Sequence, residues 1–489
     1  MIIAVTSIHF EVVYMAIPKE ILAIERPKNT VVKETRKPGV YSVVKRTSKR
    51  VPGKKNPRPV EIGVIGKIAD GRYIPNPEKP VYETDFKIYG TVSLCNKVGR
   101  DIYDDLLKFY TLDDARKLFC IAVLRAIEPD ITNEEIAAEY ETTFLSELFP
   151  KVALSPNTIS DFLEKIGKGL CTINEFMNDR IAGYSGHPTV IDGMLKCNTS
   201  TTNIFSEYSR KGRIKGTEDV SLLYAYDLTI REPVACSAFP GNMLDYTALR
   251  SFTEEHPIEN GFLMMDKGFD DKISKEKISE LNTHYIIPIK NSSKIIQKHS
   301  LDKNYTNSFK YNGDTIRCKK VLGDNGKFYY AYKSSEMKAN QDKGYVARAL
   351  DKGTFDEEKY EKKESRFGLI VFEANVDLEL KVVYHAYHDR WEIETLFNNY
   401  KNIVGRQEVN VQGNYRLFAT EFINFLSSII SLRIKHLIEK KKLNEKYTQH
   451  QVLRLLSKCA KRRSTKNSDK WVDCARLKYI GDLCEILGV

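Results

Sequence analysis

The chain has 489 residues, 76 Lys+Arg against 65 Asp+Glu, and a formal net charge of +11. Its 42% hydrophobic and 29% charged content exclude an intrinsically disordered chain and admit roughly two to four structural units. Nine scattered cysteines, without a CxxC pair or a zinc-spaced Cys/His cluster, exclude a disulfide scaffold and point to reduced thiols in a cytoplasmic compartment.

The first residues, MIIAVTSIHF, lack a basic n-region and a small-residue cleavage site, so no signal peptide is expected, and Met15 is an alternative start. Between Arg26 and Arg58, twelve cations stand against the single acid Glu34. That segment holds the whole +11 excess, and the rest of the chain sums to zero. A cationic arm on a neutral body suits a polyanion, with nucleic acid first, although a solvated linker has the same composition. Val40, Tyr41, Val43 and Val44, then Val60, Ile62, Val64 and Ile65, predict two strands of a basic β-hairpin over 39–70. Pro52-Gly53 and Asn56-Pro57 supply turn chemistry between them. Lys45, Arg46, Lys49, Arg50, Lys54, Lys55 and Arg58 are its candidate DNA contacts, in a first region placed at 1–99.

Residues 100–180 read as helical. Thr132 to Glu135 forms a capping box, and Ser155-Pro156 an N-cap followed by Pro at the first helical position. Ile159, Phe162, Leu163 and Ile166 then make one apolar face, opposite Asn157, Thr158, Ser160, Asp161 and Lys165. This resembles the second helix of a helix-turn-helix, and equally an ordinary core helix.

From 181 the pattern becomes α/β. Strands are expected at 189–196, 220–226, 233–239, 261–265 and 284–289, with helices near 244–254 and 271–281. Three sequential strands followed by helix–strand–helix–strand describe a mixed sheet of the ribonuclease H-like order. Residues 291–365, with turns at Asn312-Gly313 and Asp324-Asn325-Gly326, predict an all-β insertion. A strand at 367–373 and a long helix near 378–405 complete the core, which therefore spans 181–290 and 366–410. The tail, 411–489, reads as helical, with a basic stretch from Lys458 to Lys466. Its apolar run Leu417–Leu432 contains Glu421 and Asn424, so a buried helix is expected there rather than a membrane span.

Three acids carry candidate chemistry. Asp192 interrupts the apolar first strand, where an unpaired charge is costly. Asp266 ends the fourth strand, ahead of Lys267-Gly268-Phe269, and Glu394 lies in the late helix. A strand-ending Asp is ordinarily a turn residue and a helical Glu ordinarily solvated. In the expected sheet, however, strands one and four are neighbours, which sets Asp192 beside Asp266. With Glu394 they form a hard-oxygen set suited to two Mg²⁺ or Mn²⁺ ions. At about 100° per residue, Tyr387, Arg390, Glu394 and Lys401 fall within an arc of about 60°. Ile393, Leu396, Tyr400 and Ile403 fall on the opposite side. One stripe thus carries an acid, two cations able to hold phosphates, and a phenol.

Tyr-x2-Arg-x3-Glu-x6-Lys, as Tyr387, Arg390, Glu394 and Lys401, resembles the Tyr-Arg-Glu-Lys signature of bacterial insertion-sequence DDE transposases, the family named after insertion sequence four. ValIleAspGly (190–193), PheProGlyAsn (239–242) and MetAspLysGlyPhe (265–269) resemble its other motifs. The resemblance covers about residues 187–410. It implies a metal-binding catalytic triad of Asp192, Asp266 and Glu394, with Tyr387, Arg390 and Lys401 handling DNA phosphates. It further implies binding of terminal inverted repeats, hydrolysis exposing a 3′-OH, and attack of that 3′-OH on target DNA. The implied partners are double-stranded DNA and a second copy in the DNA-bound complex, with no membrane and no small-molecule cofactor, in the bacterial cytoplasm at the nucleoid. Relatives that form DNA hairpins use a Trp in the insertion. Here the only Trp residues are Trp391 and Trp471, leaving Tyr305, Tyr311, Phe328, Tyr329, Tyr330 or Tyr332 as stacking candidates. A catalytically silent DNA-binding descendant and a metal-dependent nuclease without strand transfer are the competing function classes.

Overall fold

The computed structural model describes residues 17–50, 57–76, 84–198, 200, 202–209, 218–390, 392–402, 408–409, 411–464 and 470–489. The chain divides into two compact units, Met1–Glu83 and Thr84–Val489.

In the first unit, β1 (Thr30–Glu34), β2 (Tyr41–Lys49), β3 (Arg58–Ala69) and β4 (Arg72–Pro75) form an antiparallel sheet in chain order. The predicted hairpin is its central β2–β3 pair, with Lys49 opposite Arg58. The turn residues 52–56, Lys54 and Lys55 among them, lie outside the described residues. Val32, Val43 and Ile68 form a small core, whereas Val60, Ile62 and Val64 are exposed. Lys49, Arg50 and Arg58 are exposed, and Arg46 and Lys33 both pair with Glu61, at 3.2 and 2.6 Å.

The second unit starts with β5 (Thr84–Ile88), so the predicted boundary at 99 falls inside the continuous helix α1 (Gly90–Phe109). Helices α2 (Leu112–Ile127), α3 (Pro156–Lys168) and α4 (Leu170–Gly183) follow. The Thr132–Glu135 bond forms at 2.8 Å just before the short helix Ile136–Thr142. Ser155 caps α3 by accepting the Thr158 N–H, and Ile159, Phe162, Leu163 and Ile166 are buried as their spacing predicts. The polar side of α3 is engaged too. Arg416 bonds the Ser160 carbonyl and Glu164, and Lys165 bonds Asp114 at 2.6 Å.

The central sheet is mixed. Strands β6 (Pro188–Asn198), β7 (Glu218–Asp227) and β8 (Glu232–Pro240) are antiparallel neighbours. Helix α5 (Asp245–Glu255) leads to β9 (Phe262–Met265), which pairs parallel with β6, and α6 (Lys272–Glu280) to β10 (His284–Pro288), parallel with β9. Beyond β10 come β11 (Asn307–Tyr311), β12 (Asp314–Leu322), β13 (Phe328–Ser334) and β14 (Leu369–Ala374). The spatial order is β11-β12-β13-β14-β10-β9-β6-β7, with β8 also on β7.

Two expectations are corrected here. The 291–365 segment is not an all-β insertion. Its strands extend the core sheet through β14, and helices α7 (Ser335–Asp351) and α8 (Glu357–Glu364) follow. Ser334 and Asp356 cap these helices from runs rich in Ala, Glu and Lys, residues with high helix propensity and little to bury in a sheet. The long helix near 378–405 is two helices, α9 (Leu380–Asp389) and α10 (Glu392–Asn402). Between them the Ile393 N–H bonds the Arg390 carbonyl, a three-residue closure that tightens the turn. The tail is helical as expected, with short strands between its helices. After α11 (Asn414–Lys440) and α12 (Gln449–Leu456), β15 (Ala460–Ser464) pairs antiparallel with β5, placing part of the basic stretch in a sheet, and α13 (Lys478–Leu487) closes the chain.

Helix α11 is apolar enough to cross a membrane, yet it is mostly buried against α1, α2, α3 and β8. Its Glu421, Asn424, Ser427, Ser428 and Ser431 are buried with hydrogen-bond partners, as polar groups inside a core must be.

Candidate active site

The parallel pairing of β6 with β9 sets Ile191 opposite Met265. The next residues, Asp192 and Asp266, therefore emerge side by side at the edge of the paired region. Val190, Ile191, Leu263, Met264 and Met265 are buried, which anchors both strands, while Asp192 stays partly accessible. The Gly193 N–H donates to Asp192 Oδ1 at 2.8 Å. Asp266 opens a single helical turn, Lys267–Phe269, closed by the Phe269 N–H on the Asp266 carbonyl. Phe269 is buried and pins that turn. A Cβ on Gly268 would stand 2.5 Å from Asp245 Oδ2, so glycine lets the start of α5 pack close behind Asp266.

Arg390 spans the two acids. Its Nη1 donates to Asp192 Oδ2 at 3.2 Å and lies 3.9 Å from Asp266 Oδ1. Its guanidinium also lies 5.3 Å from the Tyr387 ring centre, and Tyr387 packs on Phe372 of β14 at 4.5 Å. The Arg390 Nε is buried and has no hydrogen-bond partner among the described residues. Glu394, in the first turn of α10, is exposed, while Ile393, Leu396, Phe397 and Tyr400 on the same helix are buried. The predicted apolar side of α10 thus holds for Ile393, Leu396 and Tyr400, and Glu394 lies off it. Lys401 lies in the last turn of α10, with its side chain outside the described residues, as are Trp391 and Ile403.

Burial pushes the Asp192 carboxyl up to about 6; the Gly193 N–H and Arg390 oppose this, while the charges of Asp266 and Glu394 add to it. The charge of Glu394 therefore acts on Asp192. Among the described residues, no three acidic, His or Cys side chains stand close enough to hold a metal ion as a group. The structure brings Asp192, Asp266 and Arg390 together, and holds Glu394 on the adjoining helix.

Below the site lies a buried polar network absent from the sequence-based candidates. Lys196, four residues after Asp192 on β6 and on the same face by the two-residue strand period, donates to Glu421 at 2.7 Å and to Tyr400 at 2.9 Å. Tyr400 donates to Glu421, Asn424 donates to Tyr400 at 3.2 Å, and Arg125 donates to Asn424 at 3.0 Å. One network thus ties the strand carrying Asp192 to the helix carrying Glu394, and both to α11 and α2. The available signal was polarity in apolar runs: Glu421 and Asn424 interrupt 417–432, and Lys196 follows an apolar strand.

Three of the six aromatic candidates of 305–332 serve the sheet. Tyr329, Tyr330 and Tyr332 are buried. The Tyr330 hydroxyl takes the Leu378 N–H at 2.7 Å and donates to the Val376 carbonyl, and Tyr332 donates to the Leu380 carbonyl at 2.7 Å. These phenols hold the entry to α9, and their burial leaves no face for a base.

Residues 189–430, just under half of the chain, match the family model described as the transposase DDE domain. The segment bearing Asp192, Asp266, Arg390 and Glu394 lies within that match. No curated protein matches the chain. Among solved structures, a piggyBac transposase synaptic complex with hairpin DNA is similar at 10% identity and a TM-score of 0.39, over 76% of this chain and 80% of that chain. That score is too low to argue from.

Proposed function

We propose that the chain is an insertion-sequence transposase that binds the terminal inverted repeats of its element, hydrolyses a phosphodiester at each end and joins the freed 3′-OH to target DNA. The carrying observation is the juxtaposition of Asp192 and Asp266 under a single guanidinium, with the charge of Glu394 acting on Asp192. The strand order, with three antiparallel strands followed by two parallel ones, supports a ribonuclease H-like core. The Tyr387, Arg390, Glu394 and Lys401 spacing supports the family named after insertion sequence four.

The donor set fits a hard divalent cation. Burial raises the Asp192 carboxyl, and the charges of Asp266 and Glu394 add to it, so a bound cation would relieve both the desolvation and the repulsion. Asp192, Asp266 and Glu394 would hold Mg²⁺ or Mn²⁺. Such an ion, when bound, polarises the phosphodiester and activates the attacking oxygen. The remaining work belongs to the chain. Arg390 shifts from the aspartates to a phosphate, for which its unpartnered Nε–H is already a donor. Tyr387 keeps the guanidinium oriented through its ring face. Lys401 supplies a further cation at the far end of α10. In hydrolysis, water oxygen bonds to phosphorus and the bond to the 3′ oxygen breaks, leaving a 3′-OH and a 5′-phosphate. In joining, that 3′-OH bonds to a target phosphorus and displaces the target's own 3′ oxygen, so no covalent enzyme intermediate arises. The DNA-bound form is a homodimer holding two ends.

Glu394→Gln tests this. Cleavage of supercoiled donor DNA with Mg²⁺ is expected to fall at least about 10³-fold while end binding persists. Cleavage at the wild-type rate would refute the triad.

A further inference from the structure

A second site lies in the C-terminal part of the chain, between α12 and the start of α13. A cavity of about 530 Å³ opens there, within the size range of ligand pockets. Tyr447 and Tyr479 bring phenol rings to it, and Arg454, Lys458 and Arg476 bring cations. Among the described residues, none of those lining it is acidic. Arg454 and Lys458 are exposed and make no ion pair among the described residues, while Arg476 bonds Cys459 and lies 3.7 Å from Asp473. Tyr479 is 49% exposed, and Lys446 approaches the Tyr447 ring at 5.1 Å.

Arg454 and Lys458, without ion-pair partners among the described residues, stand beside accessible phenols, and that combination matches one chemistry in particular. A base presents a flat π-face to a phenol, and its flanking phosphates meet the cations. An intact duplex offers phosphates but keeps its bases stacked inside, which would leave both rings idle. An acidic peptide would likewise use the cations alone. We infer that this cavity binds an unpaired nucleotide within a single-stranded DNA segment, with its base on Tyr447 or Tyr479 and its phosphates on Arg454, Lys458 and Arg476. The site is separate from the acidic residues of β6 and β9 and involves no bond making. It therefore stands or falls independently of the catalytic assignment.

The test uses the full chain and fluorescein-labelled hexathymidylate carrying one 5-iodouracil, without metal. Photocrosslinks are expected at Tyr447 or Tyr479. Tyr479→Ala should weaken binding about tenfold, and Tyr479→Phe, which keeps the ring, should stay within about twofold. Arg454→Ala with Lys458→Ala should reduce the salt slope by about 1.4, the contribution of two phosphate contacts on a single strand. Crosslinks confined to other regions would overturn the proposal, and they need no variant to observe. Unchanged affinity when Tyr447 and Tyr479 are both replaced by Ala would also overturn it. Competition by thymidine monophosphate as strong as by the hexamer would replace the strand with a free nucleotide. Equal competition by pyrophosphate would reduce the cavity to an anion site.

Discussion

Removing Lys196 is the sharpest test of how the active-site strand is held. Its ammonium is 2.7 Å from Glu421, and both side chains are at most 5% exposed. Lys196→Met keeps the volume of the stem and deletes only the charge. Glu421 then keeps Tyr400 and Asn424 as donors but has lost its counter-ion in a core. Breaking one side of a buried ion pair costs about 3–5 kcal/mol, a large part of the roughly 5–15 kcal/mol that stabilises a domain. With a urea slope of about 3 kcal/mol/M, the unfolding midpoint should fall by about 1–1.7 M at unchanged slope, measured by circular dichroism. Replacing both partners, as Lys196→Met with Glu421→Leu, removes the unpaired charge, so the double variant should lose less than the two singles combined. Because β6 carries Asp192, cleavage should fall more steeply than end binding in any Lys196 variant that stays folded. A midpoint shift under about 0.3 M for Lys196→Met, or strict additivity in the double, would refute the network's role.

Three further outcomes follow from the same coordinates. His256 is buried, bonded to Ser237 at 3.0 Å and Asn178 at 2.8 Å, and burial holds its pKa down to about 4. The unfolded chain protonates this residue near pH 6.5, so it binds more protons than the native state between 6.5 and 4. Stability is therefore lost as pH falls through that window, by up to about 3 kcal/mol, and His256→Gln should flatten this part of the pH–stability curve. A Cβ at Gly167 would overlap the Tyr415 backbone carbonyl, so Gly167→Ala should drive α3 from α11 and destabilise by about 3 kcal/mol, read from urea midpoints. Neutralising Lys45, Arg46, Lys49, Arg50, Lys54, Lys55 and Arg58 should weaken DNA binding and lower its salt slope by about 0.9 for each phosphate contact removed; an unchanged slope would exclude the arm from the interface.

Local pattern was enough where a segment's environment is uniform. The apolar runs of β6, β7, β8, β9 and β10 announced their own burial, and the turn and helix-cap signals between them fixed their order. That order makes β6 and β9 neighbours, so the pairing of Asp192 with Asp266 was legible before any coordinates, as was the buried side of α10. The interruption of α9 and α10 at Arg390 was not, because a helix-period pattern continues through a tightened turn.

Tertiary structure decided what two distant segments do to each other. The charge excess of +11 identified a cationic arm, but the proposed chemistry rests elsewhere, on acids in a part of the chain whose net charge is zero. Placement of Arg390 over both aspartates depends on where α9 ends against β14, which no local preference encodes. The same holds for β12 and β13, whose composition predicts strands but not which sheet they join. Lys196 and Glu421 are 225 positions apart, and each alone looks like an error in an apolar run. Sequence fixes which residues must be satisfied when buried; only the packed chain chooses their partners, because a buried charge is compensated by whatever the fold brings within hydrogen-bond reach.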